Sequence, residues 1–361
     1  MPGCPFCDFT GKLTAEHVFG DWVSRTGLEL QPVQHLAGPL NRIGRELGVR
    51  PPFRQTVRIC GDCNNGWMSD LEAVAQRVLT PFILGQPGQI ATEDAGAIAA
   101  WALKTALTAM LVSSEEQRNA GYGLPASEYR ELWMSKDEAR PSSASQFWVG
   151  RYVGESRLAS AWVTPLTVTI EGLPGIDWPQ GYSITIVLGE LLLHGVRFTT
   201  PSLQVDVSTS HELPQLWPTL GPVNWPEGTP LGDAAFQCFA GGRDLRSTEP
   251  LIKVQPWKPA IELPQSEVVG DMVKLPTACG KHFICYPTDL VTEATHGTFY
   301  AFETACECPT GYLIQTEADG AHCTGAGTPE AISELYGCLP GEEIVIEDHR
   351  GMFVCKRLPK P

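Results

Sequence analysis

The sequence has no apolar run long enough to cross a membrane, no cysteine between residues 64 and 237, and no excess of basic charge. A membrane helix needs about 18 or more uninterrupted apolar residues. The most apolar segment, residues 95–112, carries Lys104 in its middle and many alanines, so it reads as a buried helix. The opening Met1-Pro2-Gly3-Cys4 shows no basic stretch followed by an apolar run, which sets the expectation of a soluble, cytoplasmic protein with no membrane partner. With 26 basic against 41 acidic side chains the formal net charge is −15, which argues against a protein that coats nucleic acid through a general basic surface. No repeat or low-complexity tract is present. At 43% hydrophobic and 19% charged the composition is that of an ordinary globular chain, and 361 residues allow two or three domains.

What charge there is divides unevenly. Residues 1–70 hold seven basic and seven acidic side chains, while the remainder carries the whole acidic excess. If any part approaches a polyanion it is therefore the N-terminal part, where Arg42, Arg45, Arg50, Arg54 and Arg58 cluster; a solvated loop explains the same cluster equally well. The twelve cysteines divide too. Cys4, Cys7, Cys60 and Cys63 lie in the first 63 residues, and the other eight follow residue 237. Without an export signal, two C-x-x-C pairs are better read as metal thiolates than as disulfides.

The pattern predicts an α+β chain in three parts: residues 1–82, the cysteine module; 83–232, a helical and antiparallel-sheet extension; and 233–361, an acidic, cysteine-rich, β-rich region of unknown role. Ser69-x-x-Glu72 reads as a capping box opening a helix, with Leu71, Val74, Ala75, Val78, Leu79 and Phe82 on one face. A second helix is expected over Glu93–Val112 and a third near Ser127–Met134. From residue 147 the period changes to two, and strands are expected at Phe147–Val153, Ala161–Ile170, Tyr182–Leu193 and Leu203–Ser208. The Pro-, Gly- and Trp-rich Leu213–Gly232 suits a boundary or closing loop. Farther on, Thr298–Glu303, Gly311–Gln315 and Glu343–Glu347 read as strands and Pro329–Gly337 as a short helix.

Cys4-Pro5-Phe6-Cys7 and Cys60-Gly61-Asp62-Cys63 each aim two thiolates at one point, and two such turns complete a tetrahedral S4 site. Zn²⁺ suits it, because it tolerates that geometry and prefers soft thiolates. A redox C-x-x-C would need one pair on a βαβ unit, which is not visible. A closed Cys4 site is no catalyst, so any chemistry comes from the residues beside it: Leu13-Thr14-Ala15-Glu16-His17-Val18 after the first pair and Asn64-Asn65-Gly66-Trp67 after the second.

In this order the chain resembles the zinc-binding Cys4 type of HNH (ββα-metal) endonucleases, whose members read C-x-x-C, then Asp/Glu-His-Val/Ile, then C-x-x-C-Asn/His. The resemblance is specific over residues 1–82 and looser to about residue 226. It implies that His17 is the general base that deprotonates water, and that Glu16 and Asn64 hold a catalytic divalent ion, Mg²⁺ or Mn²⁺, with Asn65 able to substitute. An imidazole can take a proton from water at working pH, and a hard cation on oxygen ligands can meet the charge growing on a phosphate. It further implies DNA as substrate, with a possible setting in bacterial or phage defence or restriction. Two departures stand out. The Asn that usually precedes the second cysteine pair and orients the histidine is absent from Phe53-Arg54-Gln55-Thr56-Val57-Arg58-Ile59, where Gln55 or a backbone carbonyl is the substitute. Glu16 also replaces the commoner Asp. The long His17–Cys60 interval implies an inserted loop or helix, with Asp21-Trp22-Val23 as its start. Core packing remains the alternative for His17, and helix capping for Asn64. Trp67 and Met68 read as core residues.

The later cysteines, Cys279, Cys285, Cys306, Cys308, Cys323, Cys338 and Cys355, lie among His282, His296, His322 and His349. A second zinc site, first of all Cys279/Cys285 with Cys306/Cys308, competes with buried free thiols. The expected function is DNA hydrolysis, with the acidic C-terminal region as a partner-binding or sensor element. The alternative is a non-catalytic zinc module that binds protein or nucleic acid.

Overall fold

The computed structural model describes residues 3–28, 33–37, 45–50, 53–112, 124–142, 144–154, 159–171, 179–199, 203, 205–207, 212–242, 245–257 and, beyond these, 267–270, 272–276, 283–287, 297–303, 310–317, 320–327, 336, 342–348 and 351–357. Its architecture is α+β with antiparallel sheets, in two compact units: Met1–Ala37 with Glu46–Pro259, and Gly38–Arg45 with Ala260–Pro361.

In the first unit β1 (Leu13–His17) pairs antiparallel with β4 (Thr56–Cys60), from Leu13↔Cys60 to His17↔Thr56. The interval between them holds one tight helical turn, Asp21–Arg25, and a two-stranded pair, β2 (Val33–Ala37) with β3 (Arg45–Arg50). The helix expected from Asp21 therefore stops after one turn. Gly27 follows at φ +95, a conformation that L side chains rarely adopt, and turns the chain away.

β4 runs directly into helix at the second cysteine pair. A first turn, α1 (Gly61–Cys63), continues through a widened turn at Asn64–Met68 into α2 (Ser69–Ile83), with a kink at Gly66 (φ −99, ψ −120). The helix thus opens eight residues earlier than the capping box predicts. Cys60 Sγ accepts the Cys63 N–H at 3.4 Å and does the capping, while Ser69 lies inside the helical run and caps nothing. Leu71, Ala75, Val78, Leu79 and Phe82 are buried on the face that the periodicity predicts.

α3 (Thr92–Met110) is buried nearly all round, because its alanines let neighbouring backbone approach from every side. Beyond its first turn its single charge is Lys104, 0% exposed. α4 (Ala126–Met134) realises the third helix. Between α2 and α3, β5 (Gly88–Ile90) pairs with a later strand, β12 (Val223–Trp225).

The six-stranded sheet consists of β6 (Ser145–Arg151), β7 (Ala159–Ile170), β8 (Gly181–Leu188), β9 (Leu191–Phe198), β11 (Gln215–Trp217) and β14 (Ile252–Pro256), in the order β11-β6-β9-β8-β7-β14, every pairing antiparallel. The single strand expected at Tyr182–Leu193 is a hairpin. Gly189 (φ +54) turns it, and the Glu190 N–H donates to Ile83 O at 3.2 Å, seating the turn on the end of α2. Both faces of the sheet are covered, which is why β8 and β9 are buried at every position and lose the alternation of a half-exposed strand. Tyr182, Ile184, Ile186 and Leu188 join the core with α3, while Val187, Leu192 and Val196 face α5 (Asp233–Ala240) with Phe236 and Phe239.

That second face explains why the division expected at residue 233 is not where the units separate: α5 and β14 complete the same sheet, and the unit runs to Pro259. The stretch expected as a closing loop, Leu213–Gly232, contributes β11 and β12, and Trp225, 2% exposed, donates its Nε1 to Gly150 O at 2.8 Å. The strand expected at Leu203–Ser208 is β10 (Val205–Val207), paired with β13 (Leu245–Ser247).

The second unit contains a three-stranded sheet, β15 (Glu267–Val269), β16 (Met272–Pro276) and β17 (Phe283–Pro287). A five-stranded sheet follows, built from β18 (Gly297–Glu303), β19 (Thr310–Glu317), β20 (Gly320–Gly327), β21 (Glu342–Asp348) and β22 (Gly351–Arg357) in the order β20-β19-β18-β22-β21. The three strands expected there are present. The helix expected at residues 329–337 lies outside the described residues except for Tyr336, as do Cys279, Cys306, Cys308, Cys338, His282, His296 and His349. Cys355 pairs with Phe299, Phe299 with Ile314, and Ile314 with Cys323. Three strand spacings, roughly 14 Å, separate the backbones of those two residues.

Candidate metal centre

The first cysteine pair is held in a turn by Cys4 N–H donating to Phe9 O at 2.8 Å and Asp8 N–H donating to Cys4 O at 2.9 Å. Phe6, between the two cysteines, is 0% exposed and packs edge-on against Trp67 and Tyr129, with centroids 5.6 and 5.3 Å away. These contacts bring the pair to the start of the helix that the second pair opens. The sulfurs of Cys4, Cys7, Cys60 and Cys63 all lie within 4.8 Å of one another, and Cys7 Sγ is 3.4 Å from Cys60 Sγ. All four are free thiols, three of them buried. Four convergent sulfurs could hold a metal ion. The hydrogen bond from Cys63, with backbone donors, draws the Cys4 thiol down to about 4 against the opposing effect of burial. Burial pushes Cys60 up to about 11, and the same Cys4 contact together with burial raises Cys63. The cluster favours one thiolate first, the form that binds metal.

His17 ends β1 and is half-buried. Alternation along the strand sets it, with Ala15, on the face of Thr56 and Arg58, while Glu16 faces inward with Val57. Gln55, the substitute for the missing Asn, precedes β4, accepts the Val18 N–H on its backbone O at 3.0 Å, and its buried Oε1 has no hydrogen-bond partner among the described residues. Asn64 reaches back to β1: its Nδ2 donates to Thr14 Oγ1 at 3.0 Å and to Ala15 O at 3.1 Å. Asn65 is exposed, whereas Met68 is buried and Trp67 partly so, as core residues would be.

Glu16 is 7% exposed, and its Oε1 accepts from Lys104 Nζ at 2.8 Å. Lys104 also donates to Glu72 Oε1 at 2.5 Å, and Glu72 Oε2 accepts from Trp22 Nε1. A hard divalent ion needs free oxygen ligands. As these side chains stand, Glu16 is committed to an ammonium on the face opposite His17, so Glu16, Asn64 and Asn65 beside His17 do not form a site that fits Mg²⁺ or Mn²⁺. Lys104 and Glu72 were missed as members of this cluster. The signal was the lone lysine in an apolar helix: a fully buried ammonium must find a carboxylate.

Comparison of the chain with family models, curated proteins and solved structures found no match. No helix among the described residues is long and apolar enough to cross a membrane.

Proposed function

We propose that residues 1–82 form a zinc-bound module of the HNH (ββα-metal) type and that the protein hydrolyses DNA phosphodiester bonds with His17 as general base. The observation that carries this reading is the half-buried His17 at the end of β1, beside a helix start that Asn64 ties to the same strand, with four cysteine sulfurs within 4.8 Å of one another joining both elements. Zinc is the ion of choice: at Zn–S distances of about 2.3 Å a tetrahedral S4 site spaces its sulfurs by roughly 3.8 Å, in keeping with this cluster. Zinc would supply rigidity alone. His17 would take the proton from water as its oxygen attacks phosphorus and the ester P–O bond breaks, the leaving alkoxide taking a proton from bulk water; general-base help of this kind contributes on the order of 10²–10⁴ in rate. No step is assigned to a second metal ion, because Glu16 is held by Lys104.

That ion pair favours a second reading, a zinc module that binds nucleic acid or protein without cutting. Plasmid nicking by the purified protein in Mg²⁺ or Mn²⁺ separates the two. The nuclease reading expects nicked circles from the native chain and none from His17→Ala, with zinc content unchanged. Equal activity in the variant removes His17 from the mechanism. Absence of cleavage with retained DNA binding supports the second reading.

A further inference from the structure

Among the described side chains up to residue 142, six of nine lysines and arginines have an acidic partner: Arg25 with Asp21, Arg77 with Asp94, Lys104 with Glu16 and Glu72, Arg130 with Asp8, Lys136 with Asp137, and Arg140 with Glu138. The exceptions are Lys12, Arg54 and Arg58, all exposed and all on the β1/β4 hairpin or at its ends. Lys12, Arg54 and Arg58 thus stand together on one pair of strands and its ends without a described acidic partner, in a chain with 41 carboxylates. Arg58 lies across from Ala15 and His17 across from Thr56, so one guanidinium and the imidazole share the outward face. Among the described residues the Arg58 guanidinium makes one hydrogen bond, a 3.5 Å approach of Nη1 to Leu13 O, and the side chain is exposed.

We infer that this outward face, which carries His17 and Arg58, with Lys12 and Arg54 exposed at the ends of the strand pair, docks the phosphate backbone of duplex DNA. The inference rests on the DNA-directed reading above and names the residues that would hold that substrate. A guanidinium presents five donors in a planar fork that matches phosphate oxygens, and it keeps its charge at any working pH. Arg54 and Arg58 are four residues apart, up to about 14 Å in extended chain, which allows them to reach different phosphates. Charge complementarity selects a polyanion, and the outward positions Ala15, His17, Thr56 and Arg58 include no Trp, Tyr or Phe of the kind that centres a protein interface. The acidic excess elsewhere would repel the duplex and leave this face as the point of approach.

The test uses the full chain loaded with zinc, a fluorescein-labelled 20-base-pair DNA duplex, and anisotropy across a salt series without added Mg²⁺ or Mn²⁺. The double variant Arg54→Glu/Arg58→Glu should lose at least about tenfold in affinity and lower the slope of log K against log salt by roughly two units. Arg246→Glu/Lys253→Glu, two exposed cations on β13 and β14 with no ion pair among the described residues, is the charge-matched control and should bind within about threefold of the native chain. Zinc content and circular dichroism guard against misfolding of either variant. Equal losses in both double variants, no loss in the first, or no binding by the native chain each overturn the proposal. So does a polyglutamate peptide that competes as well as DNA, because the face would then serve an acidic protein. Binding through these arginines without cleavage would sink the nuclease reading alone. Cleavage with unchanged kcat/KM in Arg54→Glu/Arg58→Glu would sink the docking face alone.

Discussion

Lys104 Nζ donates to Glu16 Oε1 at 2.8 Å, joining the middle of α3 to the penultimate residue of β1 across 88 positions of sequence. The same ammonium holds Glu72 on α2, so three elements meet at one buried cation. Replacing Lys104 with Met preserves the length and apolar character of the stem but leaves two carboxylates in a dry site. Removing one member of a buried ionic cluster costs about 3–5 kcal/mol, and Lys104→Met should lower the urea midpoint accordingly. Adding Glu16→Gln and Glu72→Gln should restore most of that loss. A Lys104→Met variant as stable as the parent would show that the ammonium is not buried.

Stability should fall at both ends of the pH scale for identifiable reasons. Burial works to lower the Lys104 pKa, but the charges and hydrogen bonds of Glu72 and Glu16 outweigh it and leave it raised. A raised lysine contributes stability that is full below its unfolded value, about 10.4, and is lost as pH climbs through the folded value. Burial alone pushes His194 down to about 3. Its Nδ1 lies 2.8 Å from Thr185 Oγ1, its ring packs 4.0 Å from that of Phe239, and its buried Nε2 has no partner among the described residues. The economical tautomer donates from Nδ1 and leaves Nε2 unprotonated, since an unmet N–H costs more than a bare lone pair. A depressed histidine contributes stability that is full above about 6.5 and drains as pH drops toward 3. Urea titrations at stepped pH should show both declines, and His194→Gln should flatten the acid one. A slope below pH 6 that is unchanged in His194→Gln would mean that carboxylates alone drive it.

Metal removal should act on the N-terminal part first. Structural zinc in small modules is worth about 10–16 kcal/mol of apparent binding energy near pH 7. A strong chelator, or Cys63→Ser, should therefore release the first knuckle, expose Phe6 and Trp67, and change the near-ultraviolet dichroism of that aromatic pair. Elemental analysis should return about one zinc per native chain and far less for the variant. A chain that contains no metal and whose spectrum ignores the chelator would reduce the cluster to packed thiols.

The sequence made some of this arrangement legible and hid the rest for physical reasons. The convergence of Cys4, Cys7, Cys60 and Cys63 was readable because C-x-x-C spacing fixes ligand geometry locally. The apolar face of α2 was readable because its period is local as well. Glu72 was misread, since Ser69-x-x-Glu72 matches a capping box while the helix in fact begins at the cysteine turn, freeing that carboxylate for Lys104. The β8–β9 hairpin was read as one strand because both faces of the sheet are covered, so alternation vanishes and only Gly189 marks the turn. The separation of Glu16 from His17 follows from the period of a strand, which the motif alone does not convey.

Arg197 offers the sharpest test of how α4 is held to the sheet. It is 5% exposed on β9 and engages Glu128 through Nε and Nη2, Glu131 through Nη2, and Ser142 and Ser145 through Nη1. Tyr182 OH donates to the same Glu128 carboxylate at 2.8 Å. Burial lowers the Arg197 pKa, but Glu128, Tyr182 and Glu131 outweigh that effect and leave the value above the ordinary one, so the guanidinium stays charged throughout the accessible pH range. Arg197→Met leaves the Glu128 carboxylate, 6% exposed, without its countercharge, and should destabilise the chain by about 3–5 kcal/mol. Arg197→Lys keeps the charge but not the fork, so it should recover only part of that loss. Hydrogen exchange localises the effect: amides of Ala126–Met134 should lose protection before those of β8 and β9, because the helix depends on this clamp whereas the central strands keep their ladders on both sides. Uniform loss of protection would mean that Arg197 supports the sheet as a whole.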